Sequence, residues 1–177
     1  AYCPVCFTTL QGDPTHCANM RCRRKRPASG WSRLLGPGEL LDRHYRVEAT
    51  LAVGGAGVTY RAREVDGAGS PMEPQLALHT QRASGSFLQR LANEAQILQR
   101  LREPHIVECM GFVQRRGQAP YLVTRFEPGG TLEDLVVERG PLPAWTVAGV
   151  MRQVLEALAA AHDKGVVHRD LKPANIL

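Results

Sequence analysis

Eight residues near the end of the chain, His168-Arg169-Asp170-Leu171-Lys172-Pro173-Ala174-Asn175, gather an acid, bases and an amide into one loop after a helical segment. Each has a use in moving a phosphoryl group. Asp170 can take a proton from a hydroxyl nucleophile, Lys172 can neutralise the transferring phosphate, and Asn175 can hold a metal ion. The plainer alternative is a charged turn, since Asp, Pro and Asn all favour turns. The full spacing, H-R-D-x-K-x-x-N, argues for chemistry, because a turn alone requires none of these groups at these offsets.

Such a loop needs a partner that brings phosphates to it, and the first half of the chain offers one. Tyr45-Arg46-Val47 opens a strand, followed by Leu51-Ala52-Val53-Gly54-Gly55-Ala56-Gly57-Val58-Thr59-Tyr60. Glycines let backbone amides come close to phosphates, and a strand–loop–strand context suits a flap that covers them. Taken alone, the same residues fit a plain hairpin turn. Leu76-Ala77-Leu78-His79 makes a further strand. Ser86-x-x-Gln89 then has the form of a capping box, and Leu88, Leu91, Ala95, Leu98 and Leu101 recur at three- and four-residue steps, so a helix is expected with Glu94 on the edge of its apolar stripe. His105-Ile106-Val107 leads into a strand, and Tyr121-Leu122-Val123-Thr124-Arg125-Phe126 forms another, rich in β-branched and aromatic residues. A second helix carries Val147, Val150, Met151, Val154, Leu155, Leu158 and Ala161 as a stripe expected to be core. Lys164 sits in its last turn and Gly165 serves as its cap.

With these segments in this order, the chain resembles the eukaryotic-type serine/threonine protein kinase family in its bacterial-like form. Lys172, two residues after Asp170, marks the Ser/Thr branch. The resemblance implies an α+β, protein-kinase-like fold: a small β-rich lobe with one helix, then the first helices and catalytic loop of a larger lobe. It implies ATP, Mg2+ and protein substrates bearing Ser or Thr. Asp170, Lys172 and Asn175 are then catalytic, with Asn175 on magnesium. Leu51, Gly54, Gly55, Gly57, Thr59, Ala77, His79, Glu94, Thr124 and Phe126 would surround the nucleotide, with Thr124 behind the adenine and Phe126 at the hinge.

The family pattern G-x-G-x-x-G-x-V is matched by Gly54 and Gly57 at its second and third glycines. Ala52 replaces the first glycine and Thr59 the valine. A larger departure is His79, which stands where V-A-I-K has the lysine that pairs the phosphates with the helix Glu. The only lysines are Lys25, Lys164 and Lys172, so none lies near, and Arg82 is three residues further on. An imidazole is shorter than lysine and mostly neutral near pH 7. Losing one charge-assisted hydrogen bond costs roughly 1.5–3 kcal/mol, about 10- to 100-fold in binding or rate. Phosphates and Glu94 would favour the imidazolium. A pseudokinase that binds nucleotide or partners without transfer is therefore the second reading.

The chain opens differently. Cys3-x2-Cys6-x10-Cys17-x4-Cys22 pairs two short-spaced cysteine couples, a ligand set for tetrahedral Zn2+. About 27 residues bury too little apolar surface to fold unaided, so the metal would supply much of the folding free energy. The Cys17–Cys22 gap is longer than usual, and His16 is an alternative ligand. Two disulfides are the competing reading, disfavoured by the missing secretory signal. The module has features of RanBP2-type zinc fingers and of zinc-ribbon leaders ahead of some bacterial kinases. Cys109, inside an apolar run, reads as a small buried hydrophobe.

The expected organisation is a zinc module over 1–27, a Pro/Gly/Ser-rich linker over 28–42 in which Trp31 could dock, and a kinase domain over 43–177. That domain is expected to be cut short after the catalytic loop, before any D-F-G segment. The net charge is +5 over 177 residues. Residues 1–26 hold Arg21, Arg23, Arg24, Lys25 and Arg26 against Asp13, a net +4, which leaves +1 for the other 151. A basic module of this kind can meet nucleic acid or protein, or simply be solvated. A zinc-dependent adaptor is accordingly the third reading. No run of about 18 apolar residues spans a membrane, and no signal peptide is evident at the start, so a cytoplasmic, processed or partial chain is expected.

Overall fold

The computed structural model describes residues 3, 8, 10–12, 14–21, 23, 25–26, 33–54, 57–81, 92–93, 95–115 and 120–177. They fall into two compact units, one of residues 1–95 and 110–126, the other of 96–109 and 127–177.

The first unit is built on six strands: β1 (Leu40–Leu41), β2 (Tyr45–Gly54), β3 (Gly57–Val65), β4 (Pro71–Gln81), β5 (Cys109–Val113) and β6 (Tyr121–Arg125). Their order across the sheet is β1-β2-β3-β4-β6-β5, and β1 to β4 and β6 pair antiparallel. Alternation along β3 explains its two faces. Val58, Tyr60 and Ala62 are buried, and so are Leu76 and Leu78 of β4 and Tyr121 and Val123 of β6. These residues and Val47 form one core, onto which Leu34, Leu35, Leu41, Tyr45, Val53 and Val113 pack. Branched and aromatic side chains with period two suit one apolar sheet face. Leu34, Leu35 and the β1 pair come from the stretch read as a linker, so packing onto the sheet begins within it.

Polar groups pin the edges of this core. Asp42, whose side chain is only 1% exposed, accepts a hydrogen bond from the Tyr121 hydroxyl at 2.6 Å and pairs with Arg115 at 2.9 Å. Burial, followed by that bond to the Asp42 carboxylate, pushes the Tyr121 phenol well above its usual range. The Tyr121 ring also meets Tyr45 edge-on, with centroids 6.0 Å apart.

In the second unit, α1 (Leu132–Arg139) begins at Thr131. Its side chain accepts from the Asp134 amide while the Asp134 carboxylate accepts from the Thr131 amide, a full capping box. The Asp134 carboxyl is held below its usual range by Thr131. Gly129 and Gly130 precede it at φ +116 and +82, and a Cβ on Gly130 would lie 3.2 Å from the Asp134 carboxylate. Replacing Thr131 by Ala is expected to cost about 1 kcal/mol (~0.5–2) of unfolding free energy, with Thr131→Ser near wild type. Urea denaturation of both variants checks this; equal losses would show that the hydroxyl is not what matters.

The second helix, α2 (Ala144–Asp163), ends with Gly165 in the left-handed region at φ 74, as its cap position requires. Its stripe is not the expected core. Ala161 is the one buried residue of the helix, whereas Val147, Met151 and Leu155 are exposed, as is Trp145. The described residues of this unit offer α1, one short 3-10 turn and connecting loops, too little to cover a 20-residue helix. Of the earlier helical stripe, residues 92–93 and 95–98 are helical and Ala95 and Leu101 are buried. Leu88, Leu91 and the Ser86–Gln89 box lie outside the described residues. Cys109 is buried, as its apolar setting suggested. No helix among the described residues is long and apolar enough to cross a membrane.

Candidate functional site

The sheet face opposite the core collects four of the ten residues assigned to the nucleotide. Strand register places Thr59 opposite His79, and Ala77 opposite Thr124. Because neighbours in register share a face, these four side chains lie together. His79 is held on both ring nitrogens: Nδ1 is 3.3 Å from the Thr59 hydroxyl and Nε2 is 3.0 Å from the Thr124 hydroxyl. Burial lowers its pKa below the ordinary histidine value, so the ring is neutral at pH 7. Both hydrogen-bond partners are therefore threonines, while in register the residue faces Thr59 on β3 and Leu122 on β6. Glu94, the expected acid partner, lies outside the described residues, as does Arg82.

Leu51 is 43% exposed and sits where β2 is irregular, between Thr50 and Ala52. Gly54 and Gly57 pair as the last rung of the β2–β3 hairpin; Gly55 and Ala56 at its tip lie outside the described residues. Phe126 follows β6, with its amide donating to the Gln75 carbonyl at 3.0 Å and the Arg61 guanidinium 5.5 Å from its ring centre. A residue not singled out from sequence is Thr80. Its hydroxyl accepts from the Val58 amide at 2.9 Å and donates to the Val58 carbonyl at 2.7 Å, bracing the base of the glycine hairpin. A threonine in a strand carries no sequence signal for such a role beyond its β propensity.

In the second unit, Asp170, Lys172 and Asn175 come together. Lys172 Nζ donates to Asp170 Oδ2 at 2.9 Å, and Asn175 Nδ2 donates to Asp170 Oδ2 at 3.1 Å and to the Asp170 carbonyl at 2.8 Å. Lys172 first, then Asn175, hold the Asp170 carboxyl below its usual range, so it is ionised at neutral pH. Arg169 adopts φ 61. A non-glycine residue in this region stores strain that tends to mark functional loops. The 3-10 turn Pro173–Asn175 places the Asn175 amide back over Asp170. The loop is tied to α1, whose Leu132 amide donates to the Ile176 carbonyl at 2.8 Å, using one of the helix's otherwise orphaned N-terminal donors. That tie was not legible beforehand, since it joins backbone groups 44 residues apart.

Both Asn175 bonds to Asp170 use Nδ2, which leaves the amide oxygen as the ligand atom for a cation. The donor set fits Mg2+, which favours oxygen ligands and commonly takes only one or two from protein.

At the start of the chain, Cys3 and Cys17 are buried thiols; Cys6 and Cys22 lie outside the described residues. The Cys3 amide donates to the Thr8 carbonyl at 3.0 Å, closing the first turn. The second is a hairpin with His16 bridged to Lys25, the Arg23 amide bonded to Asn19 and the Arg26 amide to Thr15. Asn19 Nδ2 donates to the Thr8 hydroxyl at 3.2 Å, joining the two turns. His16 is exposed, with its ring beside the Thr15 hydroxyl. Among the described residues, no group of three or more His, Cys, Asp or Glu is placed to hold a metal.

The protein kinase domain family matches residues 45–177. Serine/threonine-protein kinase PknL of Mycobacterium tuberculosis is 40% identical over 138 residues, covering 78% of this chain and 34% of that protein. Serine/threonine-protein kinase pkn2 of Myxococcus xanthus is 35% identical over 144 residues, 81% of this chain and 17% of the relative. Calcium/calmodulin-dependent protein kinase type 1 of Macrobrachium nipponense is 45% identical over 87 residues, 49% of this chain and 25% of the relative. The chain belongs to the protein kinase family. It spans about a third or less of the length of these relatives.

Proposed function

We propose that the protein is an ATP-dependent serine/threonine protein kinase, of which this chain carries the nucleotide-binding sheet and the catalytic loop. The observation that carries the reading is the convergence of Lys172 and Asn175 on Asp170. Both hold Oδ2, which leaves Oδ1 to accept the proton of a substrate Ser or Thr hydroxyl. The substrate's hydroxyl oxygen then bonds to the γ-phosphorus as the bridge to the β-phosphate breaks, and ADP leaves. Lys172 neutralises charge on the transferring group, and the Asn175 amide oxygen would hold magnesium. The metal, when bound, offsets phosphate charge. Thr59, Ala77 and Thr124 flank the nucleotide, with Leu51, Gly54 and Gly57 in the flap over it and backbone groups near Phe126 meeting the base. Full-length protein with γ-labelled ATP and a general protein substrate should place label on Ser or Thr. Label confined to Tyr, or no nucleotide binding at all, would overturn the assignment.

One observation favours the pseudokinase alternative: His79, neutral and bonded to two threonines, supplies no fixed charge where the family has lysine. Nucleotide binding without transfer would support it.

For residues 1–27 the reading is a zinc module bound through Cys3, Cys6, Cys17 and Cys22. Its support is the pair of turns fastened by Asn19 and Thr8, with both described cysteines buried and His16 turned out to the surface. Arg21, Arg23, Lys25 and Arg26 are exposed on the hairpin and suit an anionic surface of protein or nucleic acid. Metal analysis should find about one zinc per chain, removed by a strong chelator and reduced in Cys17→Ser. Metal-free protein with an unchanged spectrum after chelation would sink the idea.

A further inference from the structure

His79 stands in the midst of the proposed nucleotide face yet is bonded as a neutral ring, and those two facts pull against each other. An anchor for a triphosphate has to supply positive charge. Lysine does so at any physiological pH, whereas an imidazole does so only after gaining a proton.

The geometry around the ring permits that gain. In the neutral form one ring nitrogen donates and the other accepts, and hydroxyls can reciprocate either way. In the imidazolium form both nitrogens donate, and both hydroxyl oxygens can accept. Nδ1 at 3.3 Å from Thr59 and Nε2 at 3.0 Å from Thr124 therefore suit either state without a side chain moving. What opposes the charge is burial. Neither Thr59 on β3 nor Leu122 and Thr124 on β6 brings a compensating charge. The next residue on this face of β3 is Arg61, whose guanidinium pairs with Glu48 and lies against Phe126. Within β4, Ala77 precedes His79 on the same face. Glu94, the acid expected from the neighbouring helix, lies outside the described residues.

We propose that His79 is a proton-loaded phosphate anchor: ATP binding draws one proton onto its imidazole, Thr59 and Thr124 hold the resulting imidazolium, and nucleotide affinity rises as pH falls. This rests on the kinase reading above. The ligand recognised is the anionic phosphate chain of a nucleoside di- or triphosphate, not the base. The proton comes from solvent, and no covalent bond changes. The sign follows from linkage. Without nucleotide the neutral ring is favoured, so acid destabilises the empty protein through this group. With phosphates present the charged ring is favoured, so acid strengthens binding.

The test uses the full-length protein and titration calorimetry with MgATP and with adenosine between pH 6 and pH 8, in buffers of differing ionisation enthalpy. MgATP affinity should rise as pH falls by at most about tenfold per unit, with proton uptake on binding. Adenosine should show neither effect. His79→Gln keeps a donor and an acceptor but cannot charge, so it should lose the uptake and the part of the slope due to His79. His79→Lys should bind MgATP more tightly than wild type at pH 8, with little pH dependence. Equal slopes in wild type and His79→Gln, or an equally steep slope with adenosine, would overturn the anchor while leaving the kinase reading intact. Failure of both wild type and His79→Lys to bind MgATP or adenosine would overturn both.

Discussion

Replacing Asp170 by Asn in the full-length protein should reduce phosphoryl transfer by about 100- to 10,000-fold, the range associated with losing a positioned general base. The amide is nearly the same size, so geometry is not the cause. It cannot accept the substrate proton, and it also weakens the bonds that Lys172 and Asn175 now make to a charged oxygen. Asp170 is exposed, so thermal stability should stay close to wild type, which separates chemistry from folding. The loss should appear in kcat with the KM for ATP little changed, because the carboxylate is assigned to the hydroxyl and not to the nucleotide. Retention of transfer within threefold of wild type would remove Asp170 from the base role.

Cutting Leu78 back to Ala should cost about 2–5 kcal/mol of unfolding free energy. Leu78 has no solvent exposure and lies in register between Tyr60 on β3 and Val123 on β6, at the centre of the core. Removing its outer carbons leaves a cavity that a hydrogen-bonded sheet cannot close by shifting. Val137→Ala, at a position 81% exposed in α1, should stay within about 0.5 kcal/mol and serves as the control. Urea midpoints at an unchanged slope would report the difference. Leu78 is bonded to His79 on the opposite face, so its loss should also loosen nucleotide binding. A cost below about 1 kcal/mol would mean that the sheet is not the stabilising core of this unit.

Several features were legible before any coordinates. The order of strand, glycine hairpin, strand, helix and H-R-D-x-K-x-x-N loop was enough to indicate the family, because local periodicity and turn chemistry are written in neighbouring residues. The α+β character and the clustering of Asp170, Lys172 and Asn175 follow from the same cause: those three lie within six positions, so a short loop brings them together.

The state of His79 was not legible. The sequence shows an imidazole in place of lysine and leaves its charge open. Thr59 lies 20 residues away and Thr124 lies 45, and only strand register sets them on the two ring nitrogens. The same holds for Asp42 beneath Tyr121, Thr80 against Val58, and the Leu132 amide on Ile176. The exposed stripe of α2 shows the reverse limit: period marks an apolar face, and only the neighbours present decide whether it is covered. Sequence alone determined which groups this protein can offer to phosphate chemistry. Tertiary structure decided their protonation and their partners, because pairing across a sheet and burial depend on residues far apart in the chain.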